Sequence, residues 1–188
     1  KQAGVDTSSI TKDCTFTVDP YSYEITVDGV DEETKIRMQN ALNVGDNGKN
    51  LYKHIYYCST QDGCESTQIT KESKMKYEAY HQVFSYTGYE LDKLEEKNGT
   101  YYTGSGEDIL DLVNHAVEDT GKVPKEYKQQ MKNWIHDLVS TMSVKGWNNV
   151  PDMTFSILYG KGGLKDIKQL ISYQCDADNR KRAWYSVT

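Results

Sequence analysis

The sequence predicts an α+β chain: a mostly antiparallel sheet packed by an αα-hairpin at about 105–145, one domain over 1–188 with a candidate subdivision near 98–104, stapled by disulfides. Three observations predict it. Short segments with period-two alternation and β-branched residues recur near both ends. Two long segments between them carry apolar residues at helical spacing. Four cysteines, Cys14, Cys58, Cys64 and Cys175, are the framework expected of an extracellular domain. At 188 residues the chain is long enough for a core of its own, so bridges would reinforce the fold rather than replace that core.

The elements follow in order. Cys14 to Val18 and Tyr21 to Val27 alternate and read as strands, separated by Asp19 and Pro20. Asp31 can cap a helix running to Leu42. The run Gly45-Asp46-Asn47-Gly48 reads as the loop that ends it. Leu51 to Cys58 is expected as a strand, and Cys58 to Cys64 as a turn tightest at Asp62-Gly63. Residues 65–89 suit either period. The alternation of Met75, Tyr77, Ala79, His81 and Val83 favours β structure. Glu90 to Lys97 reads as one or two helical turns, Asn98-Gly99 as a turn, and Thr100 to Thr103 as a strand.

The hairpin is the clearest feature. Ser105 is the expected N-cap, with Asp108 three residues on. Ile109, Leu112, Val113, Ala116 and Val117 form one stripe, closed by Gly121. Pro124 opens the second helix, whose stripe is Tyr127, Met131, Trp134, Ile135, Leu138 and Met142, ended by Gly146. Trp134 is expected in the core. Met153 to Tyr159 is then a strand, and Leu164 to Ile171 a short helix. Ser172 to Cys175 and Ala183 to Val187 are further strand candidates.

Charge and composition bound the function. The net charge is −6, with 22 Lys+Arg against 28 Asp+Glu. Residues 1–120 hold 11 basic and 22 acidic side chains, and residues 121–188 hold 11 and 6. An acidic chain of this kind is a poor nucleic-acid binder, although Trp134, Trp147 and Trp184 have basic neighbours. No segment reaches the roughly 20 apolar residues needed to cross a bilayer. The chain begins at Lys1 without a signal-peptide pattern, as expected of a processed or trimmed product.

Several motifs bear on chemistry. A Cys58–Cys64 bridge across the turn with Cys14–Cys175 joining the chain's ends is the expected pairing. A zinc site is not expected, because five residues separate the closest cysteines and no second ligand pair accompanies them. Asn98-Gly99-Thr100 is a glycosylation sequon at a turn. Arg180-Lys181-Arg182 resembles a basic processing site. Gly160-Lys161-Gly162-Gly163, between a strand and an expected helix, is a candidate anion-binding turn, although it lacks the P-loop pattern. His115, with Asp111 and Glu118 at helical spacing, and His136, beside Asp137, are the candidate general bases. Neither lies near a nucleophile-elbow serine or a metal-ligand set, and no cofactor signature is present.

In composition, a tyrosine-rich, four-cysteine chain of this size resembles small secreted toxins and effectors of microbes, fungi included. The resemblance covers no motif and implies no site residue. The expected function is a secreted, non-enzymatic protein that binds a macromolecular partner, either a protein or a cell-surface component. Tyr101, Tyr102, Trp147 and Trp184 are the candidate anchors, since aromatic residues dominate interface energetics. A hydrolase or nuclease using a His/carboxylate pair, and a structural or cell-surface domain, are the alternatives. Oligomeric state is not set by anything in the sequence.

Overall fold

A computed structural model describes residues 13–59, 68–160 and 163–166. The chain divides into two compact units, Lys1–Ile69 with Thr154–Thr188, and Thr70–Met153. The subdivision point near residues 98–104 lies inside the second unit and is not a boundary between the two.

The first unit is built on a four-stranded antiparallel sheet of β1 (Cys14–Val18), β2 (Ile25–Asp28), β5 (Phe155–Gly160) and β6 (Gly163–Asp166), in the order β2-β1-β5-β6. β1 is central because its alternating side chains bury Cys14, Phe16 and Val18 on one face. Ile25, Val27 and Phe155 join that core, and Tyr52 packs against Phe155 with ring centroids 4.6 Å apart. Tyr52 comes from α2 (Asn47–Ser59), which follows α1 (Glu32–Leu42). Asp31 caps α1 as its sequence suggested, accepting the Thr34 N–H at 2.9 Å.

Amide side chains complete the sheet where strands end. β2 is an edge strand, and its outward N–H groups would template association if left open. Gln39 of α1 and Asn43, the C-cap of that helix one turn on, cover them. Val27 N–H donates to Gln39 Oε1 at 3.0 Å, Ile25 N–H donates to Asn43 Oδ1 at 2.8 Å, and Asn43 Nδ2 donates to the Ile25 carbonyl at 2.9 Å. On β5, Gln68 plays the same part. It accepts the Ser156 N–H at 2.7 Å and donates to the Ser156 carbonyl at 3.1 Å.

The second unit packs three helices around a two-stranded ribbon. These are α3 (Lys71–Thr87), α4 (Ile109–Asp119) and α5 (Lys128–Lys145), with β3 (Glu95–Lys97) and β4 (Thr100–Tyr102) paired antiparallel. The expected αα-hairpin is α4–α5. Ile109, Val113 and Val117 of α4 and Ile135, Leu138, Val139 and Met142 of α5 are buried. Its apolar faces meet α3 and β4. The two helix ends are tied by Glu118, which pairs with both Lys128 and Lys132 and whose carboxyl is held below its ordinary range chiefly by the Lys132 bond.

Four local expectations are corrected. Leu51 to Cys58 is helical rather than extended, since it belongs to the 13-residue α2, which starts inside the expected loop at Asn47. Residues 71–87 form α3. Its buried Ser73, Lys76, Ala79, Tyr80 and Val83 follow the helical period, and 17 residues exceed an ordinary strand. Thr70 and Ser73 close a capping box there. The N-cap of α4 is Asp108, not Ser105, with Asp108 Oδ1 accepting the Leu110 N–H at 2.8 Å. Residues 163–166 extend as β6 in place of the first turn of the expected helix, because their backbone pairs with β5. The strand candidates at 172–175 and 183–187 lie outside the described residues.

The disulfide-stapled description is also corrected. Cys14 and Cys58 are free thiols, Cys14 buried in β1 and Cys58 half-buried in α2. Cys14 lies within the apolar layer of the sheet, and burial pushes its thiol above the ordinary range. Cys64 and Cys175 lie outside the described residues. The extracellular, toxin and effector expectations took their support from the bridges and lose that footing, and the glycoprotein expectation loses the weight the bridges lent to the Asn98 sequon.

Candidate functional site

Among the described residues, a run of aromatic side chains sits on α3. Tyr77, Tyr80, His81 and Phe84 occur at i, i+3, i+4 and i+7, the spacing that puts residues on one helix face. His81 lies 4.3 Å from Tyr77 and 5.2 Å from Tyr80, ring centre to ring centre. Phe84 stacks near-parallel to Tyr80 at 6.2 Å, with 8° between planes. Trp147, just after α5, extends the row at 6.4 Å from Tyr80. Tyr80 is buried, Tyr77, His81 and Trp147 are half-buried, and Phe84 is 46% exposed. The row therefore climbs from the core of the second unit to its surface.

Under this row lies a charge. Lys76 is 3% exposed, which is rare for lysine. Its Nζ donates to the Val150 carbonyl at 2.8 Å, pairs with Asp152 Oδ1 at 2.9 Å, and lies 4.7 Å from the Trp147 ring centre. The ammonium fixes the segment after α5, and with it the pose of Trp147, against α3. Trp147 is the one sequence-predicted anchor that joins this row. In the sequence the alternation of Met75 to Val83 favours β structure and masks the row, whose i, i+3, i+4, i+7 aromatic spacing is the signal that reveals it.

Tyr101, Tyr102 and Asn98 come together elsewhere, on the β3–β4 ribbon. The register pairs Glu95 with Tyr102, Glu96 with Tyr101 and Lys97 with Thr100. Opposed residues share a face. Tyr101 therefore shares the α5-facing side of the ribbon with Glu96, which stays exposed and whose Oε1 accepts the Ser143 hydroxyl of α5 at 2.9 Å. Tyr101 is 2% exposed and its hydroxyl has no partner within the described residues. Burial, and secondarily the Glu96 charge, push the Tyr101 phenol up to about 12. Tyr101 is thus a core residue, not a surface anchor. Tyr102 is half-exposed on the outer face, which floors a concavity of about 440 Å³ lined also by Lys93, Glu95, Lys97, Asn98 and Thr103. Asn98 is exposed at the ribbon's turn, at φ 54°.

The remaining candidates do not converge. His115 is exposed on α4. His136 is half-buried on α5, and its Nε2 lies 3.1 Å from Asn114 Oδ1, an amide rather than a carboxylate. Trp134 is 37% exposed at the border of its stripe, not in the core. Gly160 and Gly163 face each other at the ends of two paired strands, so among the described residues this segment joins strand to strand rather than strand to helix. A Cβ at Gly160 would collide with the Asp13 carboxylate, a charge that opposes an anion there. Lys161, Gly162, Trp184 and Arg180-Lys181-Arg182 lie outside the described residues. Among the described residues, no group of three or more His, Cys, Asp or Glu is placed to hold a metal ion, and no helix is long and apolar enough to cross a membrane.

Comparison with known proteins adds kinship. The family described as Domain of unknown function (DUF4885) matches residues 6–184. A Bacillus subtilis (strain 168) protein named Uncharacterized protein YbdO is 33% identical over 160 residues, covering 85% of this chain and 40% of YbdO. The chain thus corresponds to about two fifths of that relative's length. No solved structure matches it.

Proposed function

The chain belongs to the DUF4885 family, and we propose that it is a non-enzymatic module that binds a protein partner through the aromatic face of α3. One observation carries the reading: Tyr77, Tyr80, His81, Phe84 and Trp147 form a continuous row of rings whose outer member, Phe84, is 46% exposed. Aromatic side chains of this kind combine a large apolar area with low conformational entropy, and they anchor protein interfaces. Lys76 holds Trp147 at one end of the row, so less ordering of that ring is left to be done on binding.

A comparative capture tests this. Wild-type chain, Phe84→Ala and Lys71→Ala, the last on the opposite side of α3, are immobilised and exposed to Bacillus subtilis extract. The reading expects a discrete partner retained by wild type and Lys71→Ala but lost with Phe84→Ala, whose circular dichroism stays native. Equal retention by all three would refute the surface. Loss of a turnover activity on His115→Ala or His136→Ala, with the fold intact, would refute the non-enzymatic reading.

A further inference from the structure

The outer face of the β3–β4 ribbon stands apart from the aromatic row of α3 and has its own chemistry. Glu95, Lys97 and Tyr102 project from that one face by their register, while Glu96 and Tyr101 face α5. One wall is the loop that follows β4, and it is locked by its own hydrogen bonds. Thr103 N–H donates to the Glu107 carbonyl at 3.0 Å, Gly106 N–H donates to the Thr103 carbonyl at 2.8 Å, and Glu107 N–H donates to Thr103 Oγ1 at 3.1 Å. Ser105 Oγ donates to Glu107 Oε2 at 2.8 Å. Below the loop, the Thr100 hydroxyl donates to Asp108 Oδ1, the cap of α4, at 2.9 Å. The concavity is therefore preformed, and its volume of about 440 Å³ falls in the range of small-ligand sites.

Its lining selects among ligand classes. A simple anion would meet the Glu95 carboxylate, and a simple cation would meet Lys97 and also Lys93, whose ammonium is already paired with Glu90. A wholly apolar ligand would desolvate all three charges. Hydroxyl groups both donate and accept, so a polyhydroxylated ligand is matched by ammonium and amide donors placed beside a carboxylate acceptor. The Tyr102 ring supplies an apolar surface for the C–H face of such a ligand. We propose that this concavity is a saccharide site, in which a sugar ring lies on Tyr102 and its hydroxyls bond to Glu95, Lys97 and Asn98.

Backbone-amide NMR of the full chain, titrated with maltose, cellobiose and N,N′-diacetylchitobiose in turn, tests the assignment. At least one disaccharide should give saturable shifts confined to residues around 93–106. Tyr102→Ala should weaken that binding about tenfold, as should Glu95→Gln, an exposed substitution that removes an acceptor without touching the core. Phe84→Ala should leave it unchanged, which separates this site from the α3 surface. The proposal is overturned if none of the three sugars gives a saturable shift. It is equally overturned if sodium acetate reproduces the shifts, or if sugar affinity survives both ribbon substitutions.

Discussion

Replacing Lys76 by methionine, and separately Asp152 by alanine, measures what a buried ammonium does in the second unit. Lys76 is 3% exposed, whereas the Asp152 side chain is 47% exposed. The methionine variant loses a charged hydrogen bond to the Val150 carbonyl, about 1.5–3 kcal/mol, and a cation–π contact of about 1 kcal/mol. Against this, it relieves the desolvation of the ammonium, a penalty of several kcal/mol. These terms largely cancel, and Asp152 is returned to water at little cost because half of it is already there. The net loss should be about 1 kcal/mol. Asp152→Ala acts on the exposed partner but strands the charge on the buried one. Breaking a buried pair this way costs about 3–5 kcal/mol, reduced here to about 2 by the solvent around Asp152. In Lys76→Met/Asp152→Ala the second substitution should add almost nothing, since no charge is left to strand. Urea unfolding followed by tryptophan fluorescence gives all three values from the midpoints, provided the slope is unchanged. If Lys76→Met proves the more damaging of the two single changes, the ammonium is itself a net source of stability and the reasoning fails.

Three further outcomes are expected. Gly48→Ala should cost at least about 2 kcal/mol and loosen the start of α2, because the new Cβ would collide with the Tyr23 carbonyl, a backbone atom that cannot swing aside; thermal melts beside the control Gly104→Ala, where nothing lies within 4 Å of the added carbon, will show it. Stability should decline above pH 10, levelling near pH 12, because the Tyr101 phenol ionises near 10 when unfolded but at about 12 when folded, so the unfolded state loses its proton first; Tyr101→Phe should flatten that decline at no cost at neutral pH, since its hydroxyl is unpartnered. Thiol labelling of native protein, mapped by mass spectrometry, should modify half-buried Cys58 quickly and buried Cys14 only on unfolding; equal rates would contradict the placement of Cys14.

What the sequence disclosed depended on how local each signal was. α4 and α5 were readable because their stripes and terminators lie within their own residues, and α1 because Asp31 is its own cap. α2 and α3 were misread because tyrosines and β-branched residues suit strands, and because Met75 to Val83 alternates by chance while its buried set runs at helical period. The sheet's amide closures were out of reach. Gln39 and Asn43 serve backbone 12 and 18 residues away, and Gln68 serves Ser156, 88 residues on. Lys76 showed the same limit. A lysine on a helix reads as solvated until the carbonyl of Val150, 74 residues later, is brought to it. The four cysteines suggested a covalent framework, but sequence spacing says nothing of how far apart thiols end in space. At the site, Tyr102 and Asn98 did meet in one concavity, while Tyr101 turned inward with the other parity of the ribbon.

The claim that α3 presents the binding face is tested most directly by a photo-crosslinking side chain placed at position 84 or, as control, at position 71 on the opposite side of the helix. With Phe84 replaced, irradiation in cells should yield one discrete protein adduct that position 71 does not give. Adducts from position 71 alone, or the same adducts from both positions, would contradict it.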